Sequence, residues 1–375
     1  MRMYVSTPQF YIRPSNTDWL YNRLLTRLTE FNPGLDVYLQ QSLLSSLAVN
    51  LRKSLDIVRN RYRLPVPVSL LPRQESRFSP SDVRRAKPDF IYGQAPSNIH
   101  SIPLLFNCGP TYPDVLRAAG ESEAFIAREI TIKRQCSSRA TLIASNSRSN
   151  LDNLSEFMPD QAAKLRLLPF FLPFLRALPE EAIIRKFSST GKLQCVFAGR
   201  EARRKGLPEL LAAFQELSAQ FPSRLHLKIV TNFADGPVEI PSHPDIELLG
   251  ETSRDDVQRL LEESHFLIVP SHFESYGWIY LEAMAAGSIT IGAAGPTQQE
   301  ILAAGRAGIP LGPDPAKIRD ALANFLLHPE TMQPQALAGS RHCQNEYFPR
   351  AVAKRFEELG AEAIALFRGS GNGKR

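Results

Sequence analysis

A chain of 375 residues, 43% of them hydrophobic, has the length and composition of two globular domains in series. Its apolar runs fall short of the ~20 residues that a membrane-spanning helix needs, and its N-terminus lacks the long apolar core of a signal peptide. The net charge is +6, and the four cysteines, Cys108, Cys136, Cys195 and Cys343, lie far apart without metal-ligand spacing, so reduced thiols in a cytoplasmic protein are expected.

In chain order, "RMYVST" reads as a short strand and "TDWLYNRLLTRLTEF" as a helix. "DVYLQQSLLSSLAVNLRKSLDIVRNRY" contains a second helix with leucines three and four apart. Residues 50–87 are rich in arginine and lysine, which suits an anionic surface or substrate as well as a solvated face. "PDFIYG", "IPLLFNCG" and "ATLIASN" are apolar runs bounded by turn residues, the pattern of buried strands. Asn146, Ser147 and Ser149 then offer caps to a helix through Leu154. The stretch 167–187 holds three prolines among bulky apolar residues and reads as an interdomain connection without regular structure.

The second half restarts with strand "LQCVFAG" and alternates helices with strands 225–230, 246–249 and 266–269, followed by helix "WIYLEAMAAG" and strand "SITIGA". Such alternation predicts an α/β protein with parallel sheets covered by helices on both faces. Ligands of open parallel sheets bind beyond the carboxyl ends of the strands. Two loops at such ends stand out. "GREARRKG" gathers Arg200, Arg203, Arg204 and Lys205 between Gly199 and Gly206 at the start of a helix, an arrangement suited to a phosphate or diphosphate. It is neither a Walker loop nor a G-x-G-x-x-G fingerprint. "ESYGWIYLEAMAAG" places Glu274 on a tight loop with Tyr276 and Gly277. It sets Glu282 inside an apolar helix, where a carboxylate is costly unless it meets a cation or hydroxyls such as a ribose diol.

Residues 193–330 resemble the retaining glycosyltransferases of family 4, within glycosyltransferase group 1. The resemblance rests on "FAGREARRKGLPELLAAF", on Ile246–Leu302 with its E-x7-E glutamates, and on "AGIPLGPDPAKIRDALANFLLHPE". In the first half, "CSSRATLIASNSRSNL" is similar to the segment that closes that family's first domain. The resemblance implies a GT-B architecture: two Rossmann-like domains with parallel sheets facing a central cleft. Residues 1–175 would form an acceptor-side domain and residues 190–340 a nucleotide-sugar-binding domain. The amphipathic helix near 345–368 would pack back on the first.

By the same resemblance, Arg200, Lys205 and Glu274 are the catalytic residues, the two cations binding the donor diphosphate and the glutamate lying near the donor sugar. Gly199, Tyr276, Gly277, Glu282, Gly250 and Glu251 line the donor, with Glu282 on the ribose and Gly250–Glu251 beside the base. The implied activity is metal-independent transfer of a hexosyl group, with retention, from a UDP-sugar or GDP-sugar to an acceptor hydroxyl. No resident cofactor and no nucleic-acid partner are implied; the acceptor is a glycan, a lipid-linked molecule or a small molecule. The basic run adds peripheral contact with the inner face of an anionic membrane as an expectation. Two departures stand out: the region after the first strand, "STPQFYIRPSNTDW", lacks the family's glycine-rich loop, and "IPLLFNCGPTY" lacks its histidine. Asn16 and Asn107 are the polar candidates there, on the acceptor side. The alternatives are a binding protein that has lost turnover and a nucleotide-sugar epimerase on the same fold.

Overall fold

The computed structural model describes residues 1–6, 24–39, 83, 85–93, 99–109, 117, 122–188 and 191–370. They form two compact units, Met1–Pro173 with Pro349–Arg375, and Phe174–Phe348. Each unit holds a six-stranded sheet in which every recorded pairing is parallel.

In the first unit the strands β1 (Arg2–Ser6), β2 (Asp36–Leu39), β3 (Phe90–Gly93), β4 (Leu104–Asn107), β5 (Leu142–Ser145) and β6 (Leu165–Leu167) lie in the order β2-β1-β3-β4-β5-β6. β3, β4 and β5 are buried at every position, because a parallel strand is covered on both faces. A short helix, α1 (Leu28–Phe31), precedes β2. The helices α2 (Glu123–Arg139) and α3 (Arg148–Phe157) start at Ser122 and Ser147, whose hydroxyls accept from the amides of Phe125 and Asn150.

The second unit contains β7 (Leu193–Ala198), β8 (Leu225–Val230), β9 (Ile246–Gly250), β10 (Phe266–Val269), β11 (Ile289–Gly292) and β12 (Ile309–Pro310), in the order β9-β8-β7-β10-β11-β12. Counted from β7, this is the 3-2-1-4-5-6 order of a dinucleotide-binding sheet. The order reverses between β7 and β10, the position at which ligands of open parallel sheets bind beyond the carboxyl ends of the strands. The helices of this unit are α4 (Glu180–Phe187), α5 (Leu207–Gln220), α6 (Arg254–Glu263), α7 (Trp278–Ala285), α8 (Pro296–Ile301), α9 (Pro315–Leu327) and α10 (Met332–Glu346).

The last helix, α11 (Pro349–Gly369), packs against α1, β3 and β4 of the first unit. Phe356 meets Tyr92 edge-on at 5.1 Å, and Glu357 and Glu362 take hydrogen bonds from Asn32 and Arg166. Among the described residues, no helix is long and apolar enough to cross a membrane.

One expectation is corrected. The stretch 167–187 ends in the regular helix α4, because its last proline, Pro179, sits immediately before the helix rather than inside it. The apolar residues before it, Leu168, Phe171, Leu172 and Leu175, are buried. Several elements were not distinguished in the sequence, α8, β12, α9 and α10 among them. β2 continues directly into a leucine-rich run, β6 spans three residues, and α2 has little apolar periodicity to mark it.

Candidate functional site

Two loops flank the point of reversal in the second sheet. The first leaves β7 and runs from Gly199 to Gly206; the second leaves β10 and runs from Pro270 to Gly277. They lie against each other. Gly206 has φ +81°, and a Cβ there would lie 2.5 Å from the Pro270 carbonyl oxygen, so only glycine permits the approach. The amide of His272 donates to the Arg204 carbonyl at 2.9 Å, and the Arg204 guanidinium returns a hydrogen bond to the Phe273 carbonyl. Asp235, after β8, accepts from the backbone amides of Arg204 at 2.7 Å and Arg203 at 3.3 Å. Burial pushes the Asp235 carboxyl up, but these amides outweigh it and hold it below the ordinary carboxylate range.

Across this seam Lys205 pairs with Glu274. Their side chains keep only 13% and 9% exposure, so the pair is mostly withdrawn from water. The aliphatic stem of Lys205 packs over Gly199, where a side chain would meet its Cγ at 3.1 Å. Arg200, one turn of the loop away, is exposed, and its guanidinium makes no ion pair or hydrogen bond among the described residues. The backbone of Arg200 is anchored instead, its carbonyl accepting from Ala234 at 2.8 Å and from the Thr231 hydroxyl at 3.3 Å. Arg204 bridges to Glu201 at 2.6 Å and serves the loop's own structure.

Helix α7 opens on Gly277, at φ +98°. A Cβ there would strike the Tyr280 ring at 2.5 Å. Tyr280 is fully buried and ties β10 to β11: its hydroxyl donates to the Val269 carbonyl at 2.9 Å and accepts from the Ala293 amide at 3.1 Å. Burial, with the charge of Glu274 next, pushes that hydroxyl's pKa well above the ordinary value and keeps it neutral. The helix thus begins beside the point of reversal with its partial positive end. Tyr276 is buried beside it.

Glu282, one turn further along α7, is also buried. Burial raises its carboxyl above the usual range, and the Arg254 guanidinium, 2.6 Å from Oε1, works the other way. Arg254 is the first residue of α6, whose cap is Ser253, and its guanidinium carbon stands 3.4 Å from the centroid of the Phe174 ring. Gly250, with φ +73°, ends β9, and Glu251 beyond it accepts from Asn232 at 3.2 Å.

The fold therefore brings Arg200, Lys205, Glu274, Tyr276 and Gly277 onto the two loops at the point of reversal. Glu282 follows on the helix they open, and Gly250 and Glu251 lie two strands away from β7, at the end of β9. Asn107 ends β4 in the other unit and is buried; Asn16 lies outside the described residues. Most of the basic run 50–87 lies outside them as well. Among the described residues no group of three or more His, Cys, Asp or Glu side chains could hold a metal ion. The sequence reading missed Arg254, Asp235 and Gln298. None of them carries a local signal, because each acts on a segment at least 22 residues away in the chain.

Residues 192–328, a little over a third of the chain, match the family model of glycosyl transferases group 1. No curated protein sequence matches the chain. Among solved structures, it is similar to HepE of Anabaena, solved in complex with UDP-glucose, at 13% identity and a TM-score of 0.59, over 96% of this chain and 99% of that one. Sucrose-phosphate synthase of Thermosynechococcus elongatus is similar at 14% identity and a TM-score of 0.61, over 97% and 99% of the two chains. UDP-GlcNAc 2-epimerase of Neisseria meningitidis, bound to UDP-GlcNAc, is similar at 13% identity and a TM-score of 0.54, over 96% and 100%. At these identities the likeness establishes the fold, which is that of the GT-B enzymes.

Proposed function

We propose that this protein is a retaining glycosyltransferase that moves a hexosyl group from a UDP-sugar or GDP-sugar to an acceptor hydroxyl without a metal ion. The observation that carries the reading is the Lys205–Glu274 pair at the point where the second sheet reverses, beside the N-terminus of α7. A site for a sugar diphosphate needs positive charge for the leaving group and a carboxylate for sugar hydroxyls within a few ångströms of it. The pair supplies both. Arg200 and the helix end add to the positive side. Glu282, held by Arg254, is placed one turn deeper for the ribose diol, and the end of β9 at Gly250–Glu251 for the base.

In this reading the bond between the anomeric carbon and the diphosphate oxygen breaks while the acceptor oxygen bonds to the same carbon from the same face. The acceptor proton passes to the departing phosphate oxygen. Lys205 and Arg200 stabilise the charge that develops on the nucleoside diphosphate, the task a divalent cation performs in other transferases. Glu274 orients the sugar. The acceptor would be served by the first unit, where Asn107 and Asn16 are candidates, and the basic run 50–87 favours an acidic acceptor or one held at an anionic membrane surface.

The test is a panel of UDP-, GDP- and ADP-sugars with and without acceptor, in EDTA, following nucleoside diphosphate release and the anomeric configuration of the product. UDP or GDP raising the melting temperature, together with turnover that survives EDTA, is the expected result. Loss of turnover in EDTA, restored by manganese, overturns the metal-independent mechanism. Interconversion of the donor sugar in the absence of acceptor favours the epimerase reading, which the likeness to the Neisseria enzyme keeps in view.

A further inference from the structure

Gln298 belongs to neither of the two loops. It lies on α8, after β11, and its side chain is buried at 2% exposure. Its Nε2 donates to the carbonyl of Glu274 at 3.1 Å and to the carbonyl of Tyr276 at 3.0 Å. Of the two ends of the amide only the NH2 group offers two hydrogens, so this double donation fixes which way the amide faces. Its oxygen is turned toward Gly295, where a Cβ would lie 2.5 Å from it. The two accepting carbonyls stand on either side of Ser275. A carbonyl held in place holds the whole planar peptide unit with it. The Glu274 carbonyl sets the peptide that follows the glutamate, and the Tyr276 carbonyl sets the one that delivers the Gly277 amide to the start of α7.

We propose that Gln298 is a positioning residue for glycosyl transfer, a remote amide that sets the geometry of the Glu274–Gly277 loop through two backbone carbonyls. The inference rests on the reading of that loop as the donor-sugar site. Both of these hydrogen bonds go to backbone carbonyls, so the effect of Gln298 on the loop passes through the backbone. A misplacement of the reacting groups by about 1 Å costs on the order of 10² in rate, so a loosened loop would be felt in turnover more than in nucleotide affinity.

Gln298→Glu is the diagnostic substitution. It keeps the shape and replaces the donor by an acceptor facing two carbonyls; as the pH falls and the new carboxyl takes a proton, one donor returns. The expected result is a kcat lower by about 10²-fold at high pH that recovers toward wild type as pH falls, with UDP affinity changed far less. Gln298→Leu, which offers no donor at any pH, should show the loss without the recovery. Gly295→Ala serves as an independent variant: its φ of −64° suits alanine, and the added Cβ displaces the Gln298 oxygen, so kcat should fall with Gln298 still in place.

A second readout needs no donor sugar. The two tryptophans are Trp19 and Trp278, and Trp278 immediately follows Gly277. In a Trp19→Phe background, the Trp278 fluorescence of Gln298→Glu should differ from its parent at high pH and return as pH falls. A Gln298→Glu protein with wild-type kcat and fluorescence, or with a loss that does not change with pH, overturns the proposal. Should the wild-type protein transfer no sugar at all, the reading of the site fails, while the fluorescence arm still decides whether Gln298 positions the loop.

Discussion

At the scale of single residues, the site is made of charges that hold one another. Lys205 and Glu274 are paired and mostly withdrawn from water, and Arg254 pairs with a buried Glu282 in a helix that also carries Leu281, Ala283 and Met284. Removing one partner of such a pair leaves the other uncompensated, so single and double changes separate the contributions. Lys205→Ala is expected to lower turnover by about 10²–10³, the scale of losing a preorganised donor to developing charge. Arg200→Ala, which removes a guanidinium without breaking an existing pair, should lower turnover with the melting temperature unchanged. Wild-type turnover in either variant withdraws that residue from the diphosphate. Glu282→Ala should weaken UDP binding as measured by calorimetry. Glu274→Ala should bind UDP and transfer no sugar. Equal UDP affinity and normal turnover in both would dissolve the division of labour between them.

At the scale of elements, the site depends on helices anchored far from it. The C-terminal ends of α6 and α7, the helices that carry Arg254 and Glu282, are tied by one amine: Lys186 donates to the carbonyls of Ser264 and Ala286 at 2.9 Å each. The backbone of Lys186 is held in turn by His265, at the start of β10. The His265 Nδ1 accepts from the Gln194 amide at 3.0 Å, which leaves the proton on Nε2 to be donated to the Lys186 carbonyl at 3.1 Å. That neutral tautomer is required by the geometry, and burial drives the His265 pKa down to about 4. The native state therefore takes the proton at lower pH than the unfolded chain does, and this stability is present above the unfolded pKa of 6.5 and lost as pH falls toward 4. The loss amounts to ~3 kcal/mol. Thermal melts of the wild type between pH 7 and pH 4 should show it, and His265→Asn should flatten that slope while lowering stability at pH 7. An unchanged slope in the variant would place the acid sensitivity elsewhere.

At the scale of the whole molecule, the chain leaves the first unit, builds the second and returns with α11. The return is a packing interaction: Phe356 is fully buried on the first unit's side, edge-on to Tyr92. Phe356→Ala should cost about 3–5 kcal/mol, the range for deleting a buried phenylalanine. Calorimetry should show that cost in one of two transitions, while UDP raises the other, because the ligand stabilises only the unit that binds it. A single transition shifted by both would show that the two units unfold as one.

Much of this was legible in one dimension. β7, β8 and β10 read directly as strands, the cap Ser147 stands before its helix, and the loop Gly199–Gly206 and the Glu274–Glu282 spacing carry the resemblance to group 1 glycosyltransferases. Those signals are local: periodicity, caps and short motifs depend on neighbours within a few residues of each other. What only the tertiary structure decided is which charges meet. Lys205 finds Glu274 across 69 positions, Arg254 finds Glu282 across 28, and Gln298 reaches back 24 and 22 to hold two carbonyls. Such partners are chosen by the order of strands in the sheet and by burial, which forces each withdrawn charge to find a counterpart. No pattern along the chain encodes that choice, because the residues that satisfy it share a place and not a neighbourhood in sequence.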